Sequence, residues 1–189
     1  MIATIGELRD AKAILAEEAS SLGIVPMPCG IMVEIPAVAV MADVFAEEAD
    51  FFSIGTNDLT QYTLAMDRGH PKLASKVDAL NPGLLLLIAQ TVEGARKHDR
   101  FVGVCGGIAG DSQAVPILLG LGVDELSVSL PSIPTIKAQV RRLSYADCQA
   151  LARQALKCRT GDEVRGVESC RYRSDREIAQ SRSPSAQRP

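Results

Sequence analysis

Phe51-Phe-Ser-Ile-Gly-Thr-Asn-Asp58 decides the fold: an apolar run that stops abruptly on an amide and a carboxylate. Three other runs follow the same plan. Gly30-Ile-Met-Val-Glu34 ends on a carboxylate, Phe101-Val-Gly-Val-Cys105 on a thiol and Leu126-Ser-Val-Ser129 on a hydroxyl. Each is followed by a stretch that reads as a helix. Short apolar runs alternating with helices predict parallel strands joined by crossovers. In barrels of parallel strands, the reactive groups sit at the C-terminal strand ends. Two carboxylates, an amide and a cysteine gathered there point to a metal-assisted reaction on an anionic substrate.

The spacing sets how much of a barrel is present. Glu34 to Asp58 is 24 positions, and Cys105 to Ser129 is again 24, about one strand-helix unit each. The middle interval is longer because a polar segment, 57–81, follows Asp58. This makes about four βα units, whereas a closed (β/α)8 barrel needs eight, typically over about 250 residues. The expected fold is therefore α/β, the C-terminal half of a TIM (β/α)8 barrel, with two exposed edge strands.

The helices announce themselves by their ends. Thr4-Ile-Gly-Glu7 is a capping-box pattern opening a helix through Ser21, with Gly23 as its stop. Pro36 opens a helix to about Ala49, and Asn81-Pro82 caps one to about Asp99. Asp111 is expected to cap a helix ending near Gly122, Ser132 one through Arg142, and Ser144-Tyr-Ala-Asp147 one to about Cys158. From about Gly166 the composition turns polar, with five arginines between Arg171 and Arg188. The expected division is a partial barrel over 1–165 and a disordered polar tail over 166–189.

Composition narrows the function classes. With 47% hydrophobic residues, the 189-residue chain can build a real core. Aromatics are only 4% and Trp is absent, so that core must be Ala, Leu, Ile and Val. A net charge of -3 argues against a nucleic-acid surface on the folded part. No apolar run reaches the roughly 18 residues of a membrane span, and no signal-peptide pattern is present, so the expected location is the cytoplasm. Cys29, Cys105, Cys148, Cys158 and Cys170 are scattered and form no C-x-x-C pair, which indicates neither a zinc site nor a disulfide framework.

The individual residues leave alternatives open. Glu34 and Asp58 could hold Mg²⁺, which takes one or two carboxylates with water and phosphate oxygens, or could simply cap the helices that follow. Arg68 suits a phosphate bidentately, or is a surface residue. Cys105, flanked by Gly103, Gly106 and Gly107, has room for a ligand. It could be a nucleophile, a proton donor or a small barrel-lining hydrophobe.

Longer stretches carry a resemblance. Gly30-Ile-Met-Val-Glu-Ile-Pro-Ala37, the block from Asp50 to Gly69 around Gly55-Thr-Asn-Asp58, Gly103-Val-Cys-Gly-Gly-Ile-Ala-Gly-Asp111 and Ser127-Val-Ser-Leu-Pro-Ser-Ile-Pro134 resemble one family. It is the PEP-binding barrel of enzyme I, the phosphoenolpyruvate-protein phosphotransferase of the sugar phosphotransferase system. The likeness runs over about residues 1–165, and the residue after Cys105-Gly106 resembles the fructose-type multidomain form. It implies Mg²⁺ on Glu34 and Asp58, PEP phosphate contacts from Asn57 and Arg68, with Asp58 also at the substrate, and Cys105 as the thiol that protonates the enolate carbon. It further implies PEP and pyruvate as ligands, a phosphocarrier protein as partner, and a homodimer.

The same resemblance sets expectations about what is missing. The family's further substrate arginines and its phosphoacceptor histidine domain have no counterpart here. His70 and His98 lie in no such motif and are expected at the surface. The expectation is a fragment carrying half the PEP–Mg²⁺ site, unable alone to phosphorylate a carrier. Two alternatives stand beside it: a catalytically inactive interaction module, and a fragment of a pyruvate phosphate dikinase- or PEP synthase-like enzyme.

Overall fold

The computed structural model describes residues 1–167; the expected polar tail, apart from its first two residues, lies outside the described residues. Among them, four strands form one parallel sheet in sequence order: β1 (Ile31–Val33), β2 (Phe51–Gly55), β3 (Phe101–Cys105) and β4 (Glu125–Leu126). Their registers align Met32 with Ser53, Ser53 with Gly103 and Gly103 with Glu125. Sheet order and direction are those expected of part of a (β/α)8 barrel, with β1 and β4 as its two edges.

Strand alternation divides the sheet into two faces. Ile31, Val33, Phe52, Ile54, Val102 and Val104 are buried in the core, with Val38, Phe45, Leu84, Leu85, Ile88 and Leu118. Burying each such side chain contributes roughly 1.5–3 kcal/mol. The opposite face carries Met32, Phe51, Ser53, Phe101 and Cys105, all exposed or half-buried. The core is therefore one-sided, a sheet backed by helices.

Two of the expected helix starts are built from local side-chain bonds. In α1 (Ile5–Ser21) the Thr4 hydroxyl accepts from the Glu7 amide while the Glu7 carboxylate accepts from the Thr4 amide, the complete capping box. Gly23, at φ 67°, follows its last turn. The Asn81 side chain accepts from the Gly83 amide at 2.8 Å to open α5 (Pro82–Arg96).

Several expectations need correction. The helix expected over 36–49 is broken at Met41 into α2 (Pro36–Val40) and α3 (Ala42–Ala46), and the bent Ala42–Asp43 backbone lies directly against Gly94 of α5. A helix, α4 (Thr56–Leu64), occupies the start of the supposed polar loop. Strand β4 stops at Leu126: Ser127 still donates to the Val104 carbonyl at 2.8 Å, but a 3-10 turn at Leu130–Ser132 then draws the chain off the sheet. The thiol-end loop passes through a 3-10 turn at Gly107–Gly110 before α6 (Ala114–Leu121), whose cap position is Gln113 rather than Asp111. Helix α7 (Ile133–Arg142) has no side-chain cap from Ser132. Nor does Ser144 cap α8 (Tyr145–Ala155), so the second capping box does not form. His98 lies at the surface only in part: half-buried, its Nε2 lies 2.8 Å from Asp43 Oδ1.

A short helix, α9 (Gly161–Gly166), closes the described chain, with the Thr160 hydroxyl accepting from the Glu163 amide. Its Arg165 reaches back across the fold to grip Asp78 through both carboxylate oxygens (2.8 and 3.0 Å). The same guanidinium meets Asp111 at 3.2 Å and Gln113 at 2.9 Å. Nothing in the sequence pattern announced this clamp.

Candidate active site

The C-terminal ends of β1, β2 and β3 meet at one rim of the sheet. Glu34 follows β1 directly, half-buried and without a hydrogen-bond partner among the described residues. A Cβ on Gly55 would stand 2.8 Å from the Met32 sulfur and 3.4 Å from the Glu34 Cβ. Gly55 is thus bare because the β1 side chains lean over the end of β2, toward the start of α4.

Strand β2 passes into α4 without a loop. Asn57 and Asp58 therefore sit in the first helical turn, where backbone amides are unpaired and an acidic residue is favoured by the helix dipole. The period that could have revealed this helix is Thr56, Leu59 and Thr60, all buried. The Thr56 hydroxyl donates to the Cys105 carbonyl at 2.6 Å, and the Gly107 amide donates to Asn57 Oδ1 at 3.1 Å. These two bonds join the start of α4 to the end of β3. Gly106, at φ +94°, makes the turn between them; a Cβ there would meet Thr56 Oγ1 at 2.5 Å and Asn57 Oδ1 at 2.9 Å.

Arg68 arrives from the loop after α4, its Nη2 3.2 Å from Asp58 Oδ1 and its amide donating to Gln61 Oε1 at 3.2 Å. Both side chains remain partly exposed, so the pair orients the guanidinium more than it stabilises the fold. The sequence-expected residues Asn57, Asp58, Arg68 and Cys105 are thus linked through hydrogen bonds or through the shared rim. Glu34 approaches the same rim without touching them through a hydrogen bond.

The Cys105 sulfur faces the open side of the sheet, 3.5 Å from the Ile54 carbonyl oxygen, 3.7 Å from the Met32 sulfur and 3.7 Å from the Ser53 hydroxyl. Beside it lies a polar cleft of about 520 Å³ lined by Asn57, Gly106, Gly107, Asp111, Ser127 and Ser129, among others. Sequence reading had missed Ser53 and Asp111 as parts of this neighbourhood. Asp111 is held by Arg165, so the clamp from α9 braces one wall of the cleft.

Among the described residues no group of three or more His, Cys, Asp or Glu side chains is disposed to hold a metal. Mg²⁺ needs fewer protein ligands, taking one or two carboxylates and completing its shell with water and substrate phosphate. Among the described residues Glu34 has no hydrogen-bond partner, and Asp58 engages Arg68 through one oxygen only. This donor set fits a hard cation shared with a phosphate-bearing ligand. Among the same residues, no helix is long and apolar enough to cross a membrane.

Comparison with known proteins supplies the lineage. Residues 1–145 match the family described as PEP-utilising enzyme, PEP-binding domain. The chain is 51% identical over 171 residues to a multiphosphoryl transfer protein of Xanthomonas campestris pv. campestris, covering 90% of this chain and 20% of that protein. A second multiphosphoryl transfer protein, from Rhodobacter capsulatus, is 52% identical over 168 residues, covering 89% and 20% respectively. A phosphoenolpyruvate-protein phosphotransferase of Staphylococcus aureus is 48% identical over 170 residues, covering 87% and 30%. The chain thus spans between a fifth and a third of the length of these relatives. By the family match and by these identities, the chain belongs to the PEP-utilising enzymes, within their PEP-binding domain.

Proposed function

We propose that this chain supplies part of the PEP site of a sugar-phosphotransferase-system enzyme, which moves the phosphoryl group of PEP to a protein histidine and releases pyruvate. The observation that carries the reading is the pair of bonds, Thr56 to the Cys105 carbonyl and Gly107 to Asn57, that hold an amide and a thiol at one strand-end rim. In this reading residues 1–165 are the partial barrel and 166–189 a polar tail. The whole enzyme to which such a site belongs is, in the same reading, cytoplasmic, with a phosphocarrier protein as its partner and a homodimer as its assembly.

The chemistry assigns each residue a task. Asn57, in the first turn of α4, offers its amide N–H to the phosphoryl oxygens while its Oδ1 is occupied by Gly107. Arg68, steadied by Asp58, opposes the negative charge that spreads over the moving phosphoryl group. Glu34 and Asp58 would hold Mg²⁺, which supplies positive charge against the phosphate and enolate oxygens. As the P–O bond of PEP breaks, its electron pair stays on oxygen as the enolate. The Cys105 S–H then gives its proton to the enolate carbon, forming the C–H bond of pyruvate and leaving a thiolate.

Isothermal titration of PEP into the purified chain, in Mg²⁺ and in EDTA, tests the assignment. Replacing Arg68 by Met should weaken PEP binding by roughly 10-fold or more, the worth of a charge-assisted bond to phosphate. Equal affinity for the wild-type and Arg68→Met chains would remove Arg68 from the site. No binding by the wild-type chain in Mg²⁺ would refute the reading for this chain.

A further inference from the structure

The three groups around the Cys105 sulfur differ in what they can do. A carbonyl oxygen and a thioether only accept hydrogen bonds, so Ile54 and Met32 suit a protonated thiol. The Ser53 hydroxyl can donate, and it is the one O–H or N–H group within hydrogen-bond reach of this sulfur among the described residues. Register explains the approach. Ser53 pairs with Gly103 and Gly55 with Cys105, so the hydroxyl stands one strand over and one row below the thiol, on the same open face. Ser53 is itself half-buried, within reach of solvent.

We infer that Ser53 is a positioning residue that stabilises the Cys105 sulfur after it has lost its proton and passes a replacement proton to it. The inference rests on the reading of Cys105 as the proton donor to carbon. When the S–H bond breaks in favour of the new C–H bond, the electron pair remains on sulfur. Ile54 and Met32 then present only lone pairs to that charge, and among the described residues Ser53 is the neighbour that offers a hydrogen. Return of the thiol moves the Ser53 proton to sulfur while a solvent proton replaces it on the serine oxygen. The net change is one proton taken from water, with no oxidant or reductant. Because Ser53 does not touch the substrate carbon in this scheme, its effect is exerted entirely through Cys105.

The test reads the sulfur itself. The wild-type chain and the Ser53→Ala, Ser53→Thr and Ser53→Val variants are treated with iodoacetamide at one mildly alkaline pH. Alkylation of each cysteine is then followed by peptide mass spectrometry. The thiolate is the reacting species, so loss of its one donor in Ser53→Ala should slow labelling of Cys105 about threefold to tenfold. Thr and Val have the same shape, so only Ser53→Thr should recover the wild-type rate. Two other cysteines serve as controls. Cys148 is fully buried and should stay protected in every folded variant, while Cys158, partly exposed, should label at an unchanged rate. Equal Cys105 rates in Ser53→Thr and Ser53→Val would overturn the inference, as would a wild-type rate in a Ser53→Ala chain whose Cys148 remains protected. A slowed Cys105 in a chain that fails to bind PEP would leave the Ser53–Cys105 coupling standing and remove the phosphotransferase reading. PEP binding with unchanged Cys105 labelling would do the reverse.

Discussion

Replacing Arg165 by Met keeps an unbranched apolar stem and removes the charged guanidinium, which isolates the clamp that ties α9 to the body of the fold. Four hydrogen bonds are lost: two to Asp78, one to Asp111 and one to Gln113. Buried charge-assisted bonds reach about 1.5–3 kcal/mol each. Here the Arg165, Asp78 and Asp111 side chains are 37%, 30% and 29% exposed, so solvent screens them heavily. A loss of about 1–2 kcal/mol near pH 7 is the consistent figure, equivalent to a drop in melting temperature of about 2–8 °C for a chain of this size.

The pH dependence of that loss has a definite sign. Burial works against ionisation of Asp78, but the Arg165 guanidinium and the Leu80 amide outweigh it and hold the carboxyl below its ordinary value. A depressed folded value contributes stability that is fully present above the unfolded carboxyl value, about 3.9, and is lost as pH falls through the lower folded value. Melting followed by circular dichroism should therefore show the wild-type advantage at pH 7 and see it close below about pH 4. An advantage of the same size at pH 3 and pH 7, or none at pH 7, would refute the reasoning.

Two glycines give sharper tests of packing. A Cβ on Gly106 would sit on a backbone of φ 94° and ψ -174°, a region nearly restricted to glycine, costing about 1–3 kcal/mol, and would press on Thr56 and Asn57. Gly106→Ala should melt lower and bind PEP more weakly; undiminished binding in a folded variant would show that the Asn57–Gly107 bond does not hold the site. In α6, a Cβ on Gly120 would collide with the Cys148 carbonyl of α8, a backbone atom that cannot rotate away. Alanine's helix preference returns only about 1 kcal/mol against an overpacking cost of roughly 1–3 kcal/mol or more. Gly120→Ala should therefore be less stable in urea, and a variant as stable as wild type would contradict the close α6–α8 approach.

What could be read from sequence was what local chemistry controls. The Thr4–Glu7 box and the Asn81-Pro82 start lie within a few residues of the bonds they form, so their pattern was enough. The strand cores were legible because their apolar residues face a single helical layer. Long-range bonds decided the rest. Gly55-Thr-Asn-Asp58 reads as turn chemistry, yet Thr56 is anchored to the Cys105 carbonyl 49 residues away and starts a helix. The last strand looked longer than Glu125–Leu126 because its sequence cannot show that, among the described residues, it pairs with β3 on one side only. Ser144 and Asp147 have the spacing of a capping box, but no side-chain bond from Ser144 forms. Arg165 sits in a polar stretch with no visible period, and its principal partner lies 87 positions earlier. Of the site, the ends of β1, β2 and β3 were legible, while Ser53 was hidden inside a strand whose outward face looked featureless.

Glu34, Asp58, Asn57, Arg68 and Cys105, the proposed part of a PEP site, are tested most directly by ligand-dependent melting. The chain has no Trp, so a calorimetric melt is the suitable readout, run alone, with Mg²⁺, and with Mg²⁺ plus PEP. A ligand at 100 times its dissociation constant adds about 2.7 kcal/mol to the folded state, which corresponds to a rise of about 5–10 °C here. That rise should appear with PEP only when Mg²⁺ is present, and should be lost in Glu34→Ala and Asp58→Ala. A cooperative melt indifferent to PEP in the presence of Mg²⁺ would contradict the proposed site.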